Sequence, residues 1–365
     1  MRYLLPMALM LLLVACSGTT TTAQPGATSP PLAPTPAPTF IPAAAPKPTP
    51  TRLPLINVDD MMGLYPQQTV FVATPDHVSA VTLLNHFTRY RIATTGAAQV
   101  AAEPTGRWLY LLDTDSPESH RLRAFDVPTG TERAALGGIA DVAQGGHALS
   151  MATDGRVLVL KADTGHAWVD AYEAVTLRPL EPVMEGSGCG DRLLTSGSRL
   201  AIVCRSTGEI AVDDLRGTHT KIDGGLSNLV AAALGDDGTL YVATADQHLA
   251  RLAASASKLV SLAWPSEWSG TVLGDGLALA QGGASAVIAE SSDDGAWLRV
   301  FATNNMAQRK SLRLAGAPQG GVLTLWPFAY YAVDATVRHV DLTSGLLETM
   351  TEVGAGARPG AVVNG

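Results

Sequence analysis

The sequence predicts an all-β fold: a seven-bladed β-propeller of four-stranded antiparallel blades, closed by the C-terminal strand joining blade 1. Three observations predict it. From about Pro66 onward, short β-rich runs alternate with Gly/Asp/Ser turns every 8–12 residues, and no stretch keeps a helical period. A unit of four strands, A to D, recurs, shown best by residues 98–137 and 227–264. The turn after strand C recurs as Asn85-His86, Thr129-Gly130, Thr176-Leu177, Arg216-Gly217, Ser255-Ala256, Thr303-Asn304 and Ser344-Gly345. Its second residues step by 44, 47, 40, 39, 48 and 41, a mean of about 43, which is the period of a propeller blade.

The first element is an address. Residues 1–15 carry one cation, Arg2, before an apolar run from Leu4 to Ala15 that is too short for a permanent membrane span, so a secretory signal peptide is expected. Its end, Leu13-Val14-Ala15-Cys16, resembles the bacterial lipobox. That resemblance implies diacylglycerol on Cys16, cleavage before it, and a lipid-anchored protein on the extracytoplasmic face of the cell envelope. Several acyl chains, at roughly 0.8 kcal/mol per buried methylene, anchor durably. Residues 16–53 follow as a tether. Its 37 residues after the cysteine hold ten Pro and nine Thr with only Lys47 and Arg52 charged, a composition suited to polyproline II and disorder.

Residues 54–365 form the third element, the propeller domain. Blade 1 offers three strands between Thr69 and Gly96, and blade 7 is complete by Val353. The small-apolar tail from Ala357 to Val363 is therefore expected beside Thr69–Thr74, where it removes two open sheet edges. The A strands are rich in Ala and Gly, as in Ala231-Ala232-Ala233 and Gly276-Leu277-Ala278, which suits the crowded channel wall. The fragments DGTLYVAT (237–244) and FDVPTG (125–130) resemble the YVTN-type family of β-propellers. That family hosts lyases, redox proteins and binding scaffolds, so the resemblance implies a fold and no activity. Six or eight blades, or a pair of β-sandwiches, stand as the alternative architectures.

Charge narrows the partners. The chain has 25 Lys+Arg against 33 Asp+Glu, net −8. From Leu53 onward 22 Lys+Arg face all 33 acids, a net of −11. No basic stripe can neutralise phosphates, which excludes nucleic acid as a partner, and electrostatic adhesion to an anionic bilayer is excluded likewise. No cofactor motif is present and a monomer is expected.

Catalytic and metal motifs are sparse. The eight histidines form no HxH or HExxH pair, so no sequence-local metal site is expected. His77, His120, His166 and His248 share a phase near the B–C turns, read as polar turn-edge residues or as a pH-sensitive contact face. The acidic stretches 113–118 and 291–295 are read as solvated B–C turns, with calcium held by their closely spaced carboxylates as the alternative, the second loosely resembling a sialidase Asp-box. Gly145-Gly146 and Gly282-Gly283 are read as close-packing positions at the channel. The loop Trp264-Pro265-Ser266-Glu267-Trp268-Ser269-Gly270 sets two indoles around a carboxylate, so Trp264, Glu267 and Trp268 are candidate ligand contacts, or rings packed between blades.

Cys189 and Cys204 are expected to form a disulfide, since export implies an oxidising compartment. A symmetric hairpin about Ser196-Gly197 would place them directly opposite each other. Together these readings predict a lipid-anchored surface propeller that binds a protein, peptide or glycan partner. A lyase or hydrolase working at the channel mouth is the alternative, to be recognised by at least three convergent ionisable groups there.

Overall fold

The fold is seen in a computed structural model that describes residues 68–364, apart from 84, 117, 186–188, 198, 216–218, 224–225, 227 and 263–269. Cys16, the tether and Trp264, Glu267 and Trp268 therefore lie outside the described residues.

Seven four-stranded sheets follow one another along the chain. Blade 1 contains β1 (Gln68–Ala73), β2 (His77–Thr82) and β3 (Thr88–Ala93). Blade 2 contains β4 (Gln99–Ala102), β5 (Trp108–Ser116), β6 (Ser119–Asp126) and β7 (Thr131–Ile139). In blade 3 these positions fall to β8 (Leu149–Met151), β9 (Arg156–Asp163), β10 (His166–Glu173) and β11 (Met184–Glu185). Blade 4 comprises β12 (Arg192–Ser196), β13 (Arg199–Val203), β14 (Glu209–Asp213) and β15 (His219–Asp223). Blade 5 comprises β16 (Leu229–Leu234), β17 (Leu240–Thr244), β18 (Leu249–Leu252) and β19 (Val260–Leu262). Blade 6 runs through β20 (Thr271–Ala280), β21 (Ser285–Ser292), β22 (Gly295–Ala302) and β23 (Gln308–Arg313). Blade 7 runs through β24 (Gln319–Leu325), β25 (Phe328–Val333), β26 (Thr336–Asp341) and β27 (Leu347–Glu352). The last strand, β28 (Arg358–Asn364), returns to blade 1.

That return is the expected closure. β28 pairs antiparallel with β1, Thr69 opposite Val363 and Val70 opposite Val362, with a bulge between Phe71 and Val72. The A strands then touch in cyclic order, β28, β4, β8, β12, β16, β20, β24 and back to β28. Six of the anticipated turns fall between strands C and D of their blades, and Arg216-Gly217 lies outside the described residues.

Burial peaks at the second strand of the blades and falls toward the outer edge. The B strands are the most enclosed: β1 and β17 are buried at every position, while the D strands β7 and β23 are largely exposed. The inner strands stay small because neighbours press on them. At Gly360 in β28, a Cβ would lie 2.5 Å from Cβ of Val100 in the next A strand. Side chains also sew blade to blade. The Thr195 hydroxyl donates to the Met151 carbonyl (2.7 Å), the Leu149 amide donates to Gln99 Oε1 (3.2 Å), and the buried Tyr330 hydroxyl donates to Gln68 Oε1 across the closure seam.

Two readings need correction. Asp113 is not a turn residue; it is 2% exposed within β5, where Arg123 pairs with it at 3.2 Å. Gly282-Gly283 does not pack at the channel. It makes the A–B turn of blade 6, with φ of 60° and 90° and open space where a Cβ of Gly283 would point. Of Gly145-Gly146 only the first is closely packed: an added Cβ on Gly145 would overlap the carbonyl oxygen of Asp191 from the adjoining blade, whereas Gly146, at φ 79°, faces open space.

Candidate functional site

The D–A connections and B–C turns share one face of the ring. On it, blades 2, 3 and 4 enclose a cavity of about 640 Å³, within the range of small-molecule and side-chain pockets. Its wall draws on the connection 141–145 between blades 2 and 3, the B–C turns at Glu118, His120 and Asp163, and the hairpin ends carrying Cys189, Asp191, Arg205 and Ser206.

The disulfide shapes that wall. Cys189 and Cys204 are bridged, with Cα atoms 5.6 Å apart. The register differs from the expected one: Ser196 pairs with Arg199 and Arg192 with Val203, so the loop is 197–198. Gly197 takes a φ of 55°, which a two-residue hairpin turn requires and a side chain resists. This slides the ladder by two residues from the symmetric hairpin about Ser196-Gly197. The slip is even, so the cysteines keep the same face, and the bridge closes just beyond the last ladder pair. Next to it the Asp191 carboxylate accepts the Arg205 amide at 3.0 Å, and the Arg205 Nε lies 3.3 Å from the same carboxylate.

Arg205 also links the cavity to the channel mouth. Asp275, from the bulged segment between Val272 and Leu277 of β20, reaches across from blade 6. It adopts φ 58°, and its carboxylate meets His147 Nε2 at 2.7 Å, Arg192 in a short ion pair, and Arg205 at 3.7 Å. Burial raises the Asp275 pKa, but the hydrogen bond from His147 and the charge of Arg192 outweigh it and pull it down to about 2. Burial pushes the His147 pKa down, and the two arginines add to this against the pull of Asp275, so the ring is neutral near pH 7.

These groups, His147, Asp275, Arg192 and Arg205, were missed in the sequence. One signal was available: Asp275 stands between Gly274 and Gly276 inside an A strand otherwise built of small and apolar residues. His147 and Arg205 carry no local mark, because their partners come from other blades.

The mouth's charges answer one another, while three of the cavity's do not. Glu118, Asp141 and Asp163 are exposed, and none of them pairs with a cation among the described residues. His120 adds no charge, since burial lowers its pKa. With Arg205 already paired to Asp191 and Asp275, the cavity presents a net negative wall.

The four phased histidines do fall beside the B–C turns; three have a contact of their own, while Nδ1 of His120 is buried without a hydrogen-bond partner among the described residues. His77 bonds Asp76 (2.7 Å) and the Val353 carbonyl (3.1 Å), His166 stacks on Trp168 at 5.2 Å, and His248 meets the Ser261 hydroxyl at 3.1 Å. In the second acidic turn, Ser292 and the Trp297 indole (3.1 Å) both donate to Asp294, closing a local loop.

No protein-family model and no curated protein sequence matches the chain. Solved structures are similar in fold. A chain from the crystal structure of a nidogen/laminin complex matches with a TM-score of 0.51 at 11% identity, covering 81% of this chain and 97% of that one. The structure of U3-55K matches at 0.57 and 11%, covering 73% and 84%, and the crystal structure of the RRP9 WD40 repeats at 0.57 and 11%, covering 73% and 83%. At such identities the likeness is one of fold alone.

Proposed function

We propose that this chain is a lipid-anchored, extracytoplasmic binding module whose cavity between blades 2, 3 and 4 receives a basic group of a protein or peptide partner. The observation that carries this reading is the cavity's three carboxylates without a cationic partner, Glu118, Asp141 and Asp163. A lysine or arginine entering there would gain charge-assisted hydrogen bonds to carboxylates. Trp264, Glu267 and Trp268, which lie outside the described residues, are proposed as a further contact.

An array of basic, neutral and acidic peptides together with glycans tests the reading. Basic peptides should be retained, more weakly at high salt, and lost on combining Glu118→Gln, Asp141→Asn and Asp163→Asn. Retention of neutral glycans alone would replace it with a glycan-binding role. The anchor is proposed from the lipobox, Cys16 and the tether: 1–15 as signal, 16–53 as tether, 54–365 as propeller. Cys16→Ala should move the protein from the membrane to the soluble fraction. Unchanged membrane retention would refute the anchor.

A lyase or hydrolase has one observation in its favour, the convergence of His147, Asp191, Arg192, Arg205 and Asp275. The neutral His147 ring, oriented by Asp275, would serve as the base. Turnover of a polysaccharide or ester panel that His147→Gln abolishes, with folding intact, would establish it. No turnover by the wild type would leave the cluster as a structural plug.

A further inference from the structure

On the opposite face, at the seam where the ring closes, two histidines and a glutamate converge. His339 in β26 is directly paired across the strands with Glu348 in β27. His86 comes from the C–D turn of blade 1, where the Thr82 amide donates to the Phe87 carbonyl (3.0 Å) and the Phe87 amide to Asn85 Oδ1 (3.3 Å). This turn holds His86 at φ 57°. Its ring lies 5.6 Å from that of His339.

The donor atoms share one focus. His86 Nε2 and His339 Nε2 lie 3.6 and 3.4 Å from the same atom, Glu348 Oε2. All three ligand atoms fall within 4.8 Å of one another. These separations exceed a charge-assisted hydrogen bond of about 2.7–2.9 Å. The two histidine-to-glutamate separations match the edge of a tetrahedron about a cation with bonds near 2.1 Å, roughly 3.4 Å. His339 is only 4% exposed, its ring held edge-on against Phe328 at 5.3 Å. The Glu348 and His86 side chains are 41% and 31% exposed, so solvent reaches the cluster and can supply a water as fourth ligand.

We propose that His86, His339 and Glu348 bind a divalent transition cation, best matched by Zn²⁺, which staples blade 7 to blade 1. Two imidazoles and one carboxylate form a zinc donor set, and neutral imidazole nitrogens select against Ca²⁺ and Mg²⁺, which prefer oxygen. The staple crosses the seam that β28 and β1 close from the inner side. Because the ligands come from two blades, metal bound to the folded ring raises its stability by mass action.

Calorimetric titration of the metal-stripped full-length chain with Zn²⁺ tests this, alongside thermal unfolding with and without the metal. One ion per chain is expected, with a higher Tm in its presence. His86→Ala and Glu348→Gln, at half-exposed positions, should each weaken binding by at least about tenfold and remove the Tm increase. His166→Ala, on the other face, should change neither. Co²⁺ in place of Zn²⁺ should give a tetrahedral visible spectrum that both ligand variants lose. Absence of saturable binding, or binding that both ligand variants leave intact, would overturn the site.

Discussion

Gly145 shows how one hydrogen atom can matter in this fold. A methyl group there would overlap the Asp191 carbonyl, displacing the segment that positions both the cavity wall and Arg205. Gly145→Ala should cost about 1–3 kcal/mol, the usual range for forced overpacking, seen as a lower denaturant midpoint. Gly274→Ala is the matched comparison, since nothing lies within 4 Å of its Cβ position, and it should leave the midpoint nearly unchanged. Titration acts at the same scale. His147 has a folded pKa below its unfolded value near 6.5, so its contribution is present above that value and lost as pH falls below it. His120, lowered mainly by burial, acts with the same sign. Stability should therefore decline on acidification from pH 7 to 5. His147→Gln should flatten part of that decline in thermal melts taken across the range. Asp275 adds a second loss between about pH 4 and 2, as its depressed pKa is crossed.

At the scale of strands, one device recurs in three blades. An ionised residue on strand B meets its counter-charge on strand C two positions beyond the direct cross-strand partner, a diagonal within reach of long side chains. Blade 2 uses Asp113 and Arg123 (3.2 Å), blade 6 uses Glu290 and Arg299 (Nε to Oε1, 2.7 Å), and blade 3 reverses the charges with Lys161 and Asp170 (2.9 Å). The blade 6 pair carries the highest stakes because Glu290 is wholly buried. Arg299→Met would strand its carboxylate and should destabilise by about 3–5 kcal/mol. Lys161→Met leaves a partner that water still reaches and should cost less, so chemical denaturation of the two variants separates them. The disulfide works between elements too. Closing a loop 15 residues apart in sequence should contribute on the order of 3 kcal/mol, which Cys189→Ala with Cys204→Ala would remove. Alkylation of the unreduced protein should label neither cysteine, as read by mass spectrometry.

For the whole ring, stability depends on closure. β28 supplies the inner strand of blade 1 and contacts its neighbours β4 and β24, so its loss opens three interfaces at once. Deleting residues 356–365 should lower the Tm of the entire domain in one cooperative step. A truncated chain that melts at the wild-type temperature would contradict this. The closed ring also explains why the cavity wall can be built from turns. The strands that lead into its B–C turns, β5, β9 and β13, are buried over at least half of their length, while β7, which leads into 141–145, is largely exposed.

Periodicity was enough to read the architecture, because a repeat of about 43 residues, with small side chains on the first strand, is written locally in each unit. The tail's place beside β1 was equally legible, since a three-stranded first blade and a leftover apolar strand complete each other. The disulfide partners could be named but not their register, which turned on where Gly197 sits in a two-residue loop. Only the tertiary structure could assemble the channel mouth and the His86–His339–Glu348 cluster. Asp275 meets groups from blades 3 and 4, and His86 meets residues about 250 positions away. Strand pattern is a property of neighbours in sequence, whereas these sites arise where the closed ring brings distant turns together.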